Sequence, residues 1–109
     1  MKYNEMQVDA NGIVCGGKTP KGDPELWQIE ICKRFFNLCV PVKHPKRFSY
    51  GLKHEIENWA ETYVSNGACI CAAIEAGLTI KAIPNSPNAY IGVALHGMGT
   101  RSKAPVARD

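Results

Sequence analysis

The sequence predicts an α+β fold: a three-helix cluster with a C-terminal β-hairpin, which an N-terminal strand pair would widen. Three observations predict it. Trp27, Ile31, Phe35 and Leu38 recur at helical spacing, and Leu52, Ile56, Trp59 and Tyr63 do the same. Two β-prone runs, Thr79–Ile83 and Ala89–Leu95, flank the turn sequence Pro84-Asn85-Ser86-Pro87-Asn88. From residue 49 onward the order helix, short turn, helix, hairpin is that of helix-turn-helix and winged-helix proteins.

Residues 1–22 are rich in glycine and lysine. Asp9-Ala10-Asn11-Gly12 is a turn signal between Met6–Val8 and Ile13–Cys15, and reads as a small hairpin or a loose arm. In the first helix, Asp23 fits the N-cap, Pro24 the first helical position and Glu25 the positive end of the dipole. Cys32, Phe36 and Cys39 widen its apolar face, and Pro41 is expected to end it. Residues 41–48 read as a basic, proline-punctuated loop. Ser49 is placed to cap the second helix, with Glu55, Glu57 and Glu61 on or near its wet side.

Ser65 or Asn66 caps a third helix, Gly67–Ala76. Its many alanines and cysteines let neighbours approach closely, so it is expected deep in the fold. Gly77 suits the C′ position, and Leu78 can fold back in a Schellman contact. Trp27, Ile31, Phe35, Leu38, Leu52, Ile56, Trp59, Ile70, Ile74 and Ile80 are expected to form most of the core. Residues 1–95 read as one globular domain and 96–109 as a flexible C-terminal tail.

The 109 residues suit a single domain. The longest apolar run is far short of the roughly 20 residues that span a bilayer. Met1 to Gly12 hold one lysine and no apolar stretch, so no secretory leader and no membrane partner are expected. The expected location is the cytoplasm. The five cysteines are odd in number and form no CxxC, which favours free thiols.

No metal site is expected. Cys32-x6-Cys39, Cys39-x4-His44 and Cys69-x-Cys71 lack the short paired spacing of structural zinc. Cys69 and Cys71 lie roughly 200° apart on a helix. Nothing in the sequence pairs Cys15, the thiol expected on the exposed arm, with His44 or His54, and Glu55 and Glu57 do not face each other on a helix. Gly97-Met98-Gly99 lacks the strand and helix that a dinucleotide loop needs. No catalytic residue, cofactor or small-molecule substrate is therefore expected. Gly67–Ala76 holds no Arg, Lys or Gln, so as a DNA-reading helix it is chemically blank.

The strongest surface signal is basic. Lys43, Lys46, Arg47 and Lys53 fall in residues 43–54, joined by His44 and His54 and interleaved with Phe48 and Tyr50. Such groups suit a phosphate backbone or an acidic protein groove. A solvated loop reads equally well.

Ser49-Tyr50-Gly51-Leu52-Lys53-His54, Tyr63-Val64-Ser65-Asn66-Gly67-Ala68, Ala72-Ala73-Ile74-Glu75-Ala76-Gly77 and Pro87-Asn88-Ala89-Tyr90 form one pattern. It resembles small orphan proteins of phages and other mobile elements, and through them anti-CRISPR and related anti-defence proteins. The resemblance covers residues 49–92. It implies a non-enzymatic inhibitor that binds a bacterial CRISPR-Cas or other defence complex and blocks nucleic-acid recognition by steric occlusion. Lys43, Lys46, Arg47, Tyr50, Lys53 and His54 are the candidate contact residues, with a protein complex or its nucleic acid as partner. The alternative is a small winged-helix-like DNA-binding regulator.

Overall fold

The structure, a computed structural model, describes residues 1–4 and 6–95. The expected tail at 96–109, His96 included, lies outside the described residues. The architecture is mixed α and β, with short antiparallel strands packed around three helices.

The chain opens with β1 (Lys2–Tyr3), β2 (Met6–Asp9) and β3 (Gly12–Ile13), paired in that order. Val8 faces Ile13 across the expected turn. The Asp9 carboxylate drives this turn: it accepts the N–H groups of Asn11 at 2.9 Å and Gly12 at 3.2 Å. Its second oxygen accepts Lys21 N–H at 2.8 Å, and Gly22 O accepts Ala10 N–H at 2.9 Å. The hairpin reading holds, and the chain after it is tied back rather than loose.

Helix α1 runs Leu26–Asn37, with Glu25 at the N-cap. Asp23 does not cap it; its carboxylate takes the Met1 ammonium at 2.8 Å. Pro41 does not end it either. The helix stops at Asn37, before the residue that the proline restricts, and β4 (Val40–Pro41) follows. The buried face also differs from the expected stripe. Trp27 is 50% exposed and Leu38 53%, whereas Gln28, Ile29, Cys32, Phe35 and Phe36 are buried. The apolar arc of α1 is wider than any one neighbour can cover, and its contact with the third helix selects the flank centred on Cys32.

Strand β5 (Arg47–Phe48) leads into α2 (Ser49–Ala60). Ser49 is the first helical residue rather than the cap, and its Oγ accepts Ala89 N–H at 3.0 Å. Leu52, Ile56 and Trp59 are buried as expected. Tyr63 is not: the helix closes at a left-handed Glu61, and Tyr63 is 61% exposed beyond it.

Helix α3 (Asn66–Glu75) is the element on which both other helices pack. Ser65 caps it, its Oγ accepting Ala68 N–H at 3.0 Å. Gln28 of α1 accepts Ser65 N–H at 2.9 Å, which locks the corner where the two helices meet. Asn66 through Ala73 are buried. The expected Schellman end is present: Gly77 (φ +80) donates to Ile74 O and Leu78 to Ala73 O, both at 3.0 Å. A Cβ at Gly67 would stand 1.8 Å from Asp9 O, so the hairpin backbone seats directly on the start of α3.

Strands β6 (Ile80–Ala82) and β7 (Ala89–Ile91) form the expected C-terminal hairpin, and β8 (Val93–Ala94) continues past Gly92. Two partners join it that sequence periodicity does not show. β5 pairs with β7 and β4 with β8, both antiparallel. Residues 41–48 are therefore a strand pair flanking a short loop, not one open loop.

The fully buried side chains Phe35, Leu52, Ile56, Ile70 and Ile91 make the centre of the core, each contributing about 1.5–3 kcal/mol of apolar transfer. Ile31, Ile74 and Ile80 pack on its rim. A groove-reading helix needs an exposed face. With its first eight residues buried, α3 offers none along most of its length. No helix among the described residues is long and apolar enough to cross a membrane.

Candidate functional site

The basic stretch folds into two unlike parts. Val42 N–H donates to Gly92 O at 3.1 Å, and Arg47 stands opposite Ile91. Residues 43–46 thus leave the sheet as a loop pinned at both ends, carrying Lys43, His44 and Lys46 outward, all exposed. Among the described residues, Lys43 and Lys46 make no ion pair. Beside them, exposed Phe48 packs on Tyr90 with ring centroids 6.0 Å apart.

The second part is neutralised from within. Arg47 pairs with Glu55. Lys53 is buried, donating to Glu57 Oε2 at 2.8 Å and to Val64 O at 3.1 Å. His54 Nδ1 lies 3.1 Å from Glu57 Oε1, and its ring meets Tyr50 edge-on at 4.7 Å. Burial pushes the Glu57 carboxyl up, but hydrogen bonds from Lys53, Val64 N–H and His54 outweigh it and hold it below the usual carboxylate range. One helical turn brings Glu57 under both Lys53 and His54, so this part of the basic stretch carries little free charge. The i,i+4 and i,i+3 spacings already carry that signal.

A cleft of about 820 Å³ opens where the N-terminal hairpin meets α2 and α3. Of the expected contact residues it gathers Tyr50 and Lys53; Lys43, Lys46, Arg47 and His54 do not line it. It adds Lys18 and Lys21, which the sequence reading passes over, and Tyr63 and Asn66, which that reading gives to an apolar stripe and a helix cap. Lys53 Nζ lies 4.6 Å from the Tyr63 ring centroid and 5.5 Å from that of Tyr50, so one ammonium orders both rings. Asn66 Nδ2 donates to Asn11 O at 2.9 Å, Asn88 Oδ1 at 3.1 Å and Pro87 O at 3.3 Å. It joins the hairpin turn, α3 and the 84–88 turn. Its Oδ1 is buried and has no partner among the described residues.

All five thiols are free. Burial pushes Cys32 up to about 12 and Cys39 up to about 11, and raises Cys69 and Cys71 as well, so these four stay protonated near neutral pH. Cys69 Sγ points to Ser49 O and Cys71 Sγ to Met1 Sδ, on different sides of α3. Among the described residues no three His, Cys, Asp or Glu groups gather as a metal site would require. Comparison with known proteins returns no matching family model, no matching curated protein and no matching solved structure.

Proposed function

We propose that the chain is a stoichiometric inhibitor that covers a bacterial nucleic-acid-guided defence complex and blocks its recognition of nucleic acid. One observation carries the reading: a loop pinned at both ends holds Lys43 and Lys46 outward with no internal ion pair, beside the exposed Phe48–Tyr90 pair. Cations held ready on a fixed loop, next to exposed aromatic rings, suit an acidic protein face. Pinning lowers the ordering cost of contact. The resemblance of residues 49–92 to anti-defence proteins supplies the class of partner. Four thiols held protonated in the core act as packing groups.

The test is binding of the whole chain to purified CRISPR-type effector complexes, measured by interferometry. Lys43→Glu with Lys46→Glu is expected to weaken binding by more than about tenfold, mostly through the association rate. Unaltered affinity in that variant removes the loop as the contact face. The rival DNA-binding regulator predicts instead duplex binding with a steep salt dependence and no protein complex.

A further inference from the structure

We propose that the cleft lined by the N-terminal hairpin, α2 and Tyr63 binds a nucleotide, with Tyr50 and Tyr63 as base-stacking surfaces and Lys18 and Lys21 as phosphate contacts. The cleft is distinct from the 43–46 loop, which contributes nothing to its lining. Its volume of about 820 Å³ lies in the range of small-ligand sites, roughly 300–1,000 Å³.

The lining is that of a single-strand or nucleotide site rather than an apolar pocket. Tyr50 is 48% exposed and Tyr63 61%, yet both rings are held by the buried Lys53 ammonium. An exposed ring with a fixed orientation is a stacking platform, tolerant of which base it meets. Lys53 itself is engaged by Glu57 and Val64 O, so it orders the rings rather than supplying free charge. The charge comes from Lys18 and Lys21, which make no ion pair among the described residues. Asp9 also lines the cleft, but its oxygens are occupied by the backbone N–H groups of Asn11, Gly12 and Lys21. Asn66 closes one wall of the cleft, where its side-chain amide joins the hairpin turn to Pro87 and Asn88.

The experiment titrates the full chain with a short fluorescent single-stranded oligonucleotide, with a matching duplex, and with unlabelled mononucleotides as competitors. Saturable binding of the single strand, stronger than of the duplex, is expected. Competition by mononucleotides at comparable concentration assigns the site to free nucleotides, and its absence to the strand; either supports the site. Tyr50→Ala with Tyr63→Ala is expected to weaken binding by roughly tenfold or more, and Tyr50→Phe with Tyr63→Phe to retain it. Lys18→Gln with Lys21→Gln should weaken it and flatten its salt dependence. No saturable binding of strand or mononucleotide overturns the proposal. So does equal binding of duplex, or binding that survives the alanine pair. Loss of strand binding in Lys43→Glu with Lys46→Glu would move the ligand to the loop and overturn it too. That arm keeps the cleft and the inhibitor reading separately testable, since neither outcome of one decides the other.

Discussion

Lys53 and Lys46 are the same residue type, close in sequence, on opposite sides of a boundary the fold draws. Lys53 is on α2, 7% exposed, with Glu57, a backbone carbonyl and two tyrosine rings around its ammonium. Lys46 is on a pinned loop, exposed and without an ion pair among the described residues. A buried ammonium must find its partners inside the protein, because leaving water costs several kcal/mol. An exposed one is hydrated by the solvent and keeps its charge at the surface. The comparison teaches that a basic run divides into charge that holds the fold and charge that faces solvent, and that burial draws the line.

The largest effect on stability is expected at the buried end. Lys53→Ala removes the ammonium that neutralises Glu57 and the donor to Val64 O, and should cost about 2–4 kcal/mol in urea unfolding. A cost below about 0.5 kcal/mol would mean that Lys53 is no more structural than Lys46, and the comparison would collapse.

Acid should produce a smaller loss. The folded Glu57 carboxyl lies below its ordinary value of 4.5, and so does that of Glu75, held mainly by a hydrogen bond from Tyr3 with Lys33 adding to it. A depressed carboxyl stabilises the fold above its unfolded value, and that stabilisation is lost as pH falls through the folded one. The urea midpoint should therefore drop as pH falls below about 4.5, and Glu57→Gln should flatten that drop. An unchanged slope in that variant would place the acid sensitivity elsewhere.

The smallest effect is expected at the exposed end. Lys43→Glu with Lys46→Glu should leave stability within about 0.5 kcal/mol while weakening the proposed partner binding by more than about tenfold. A large drop in melting temperature would show that the loop is part of the fold's own support.

How far the fold is legible depends on how many neighbours each element has. α3 reads cleanly because small residues, a serine cap and a C′ glycine all specify one buried helix. α2 reads cleanly through Leu52, Ile56 and Trp59; it fails at Ser49, which is the first helical residue rather than the cap, and at Tyr63, where a left-handed Glu61 turns the chain away. α1 reads as a helix, but not which flank it buries. Its apolar arc includes Trp27 and Leu38, and an arc that wide fits more than one packing. The strands at residues 40–41 and 47–48 are too short for any alternation, and only their pairing with residues 89–94 defines them.

The candidate site divides the same way. Cations among aromatics are visible in the chain order, and so are the i,i+3 and i,i+4 spacings that place Glu57 beneath Lys53 and His54. The cleft is not visible, because Lys18, Lys21, Tyr50, Tyr63 and Asn66 come from separate segments that meet only when the hairpin docks on α3.

By itself the amino-acid order determined the mixed α and β character, the helices and their small-residue centre, the C-terminal hairpin and the free thiols. These follow from local spacing, caps and turn chemistry, which act within a few residues. Tertiary structure alone decided which face of α1 is covered, that residues 40–41 and 47–48 pair with the C-terminal strands, and which lysines keep their charge exposed. Those outcomes depend on contacts between distant segments, where the cost of burying an ammonium or the fit of one helix on another is set by neighbours that no local pattern specifies.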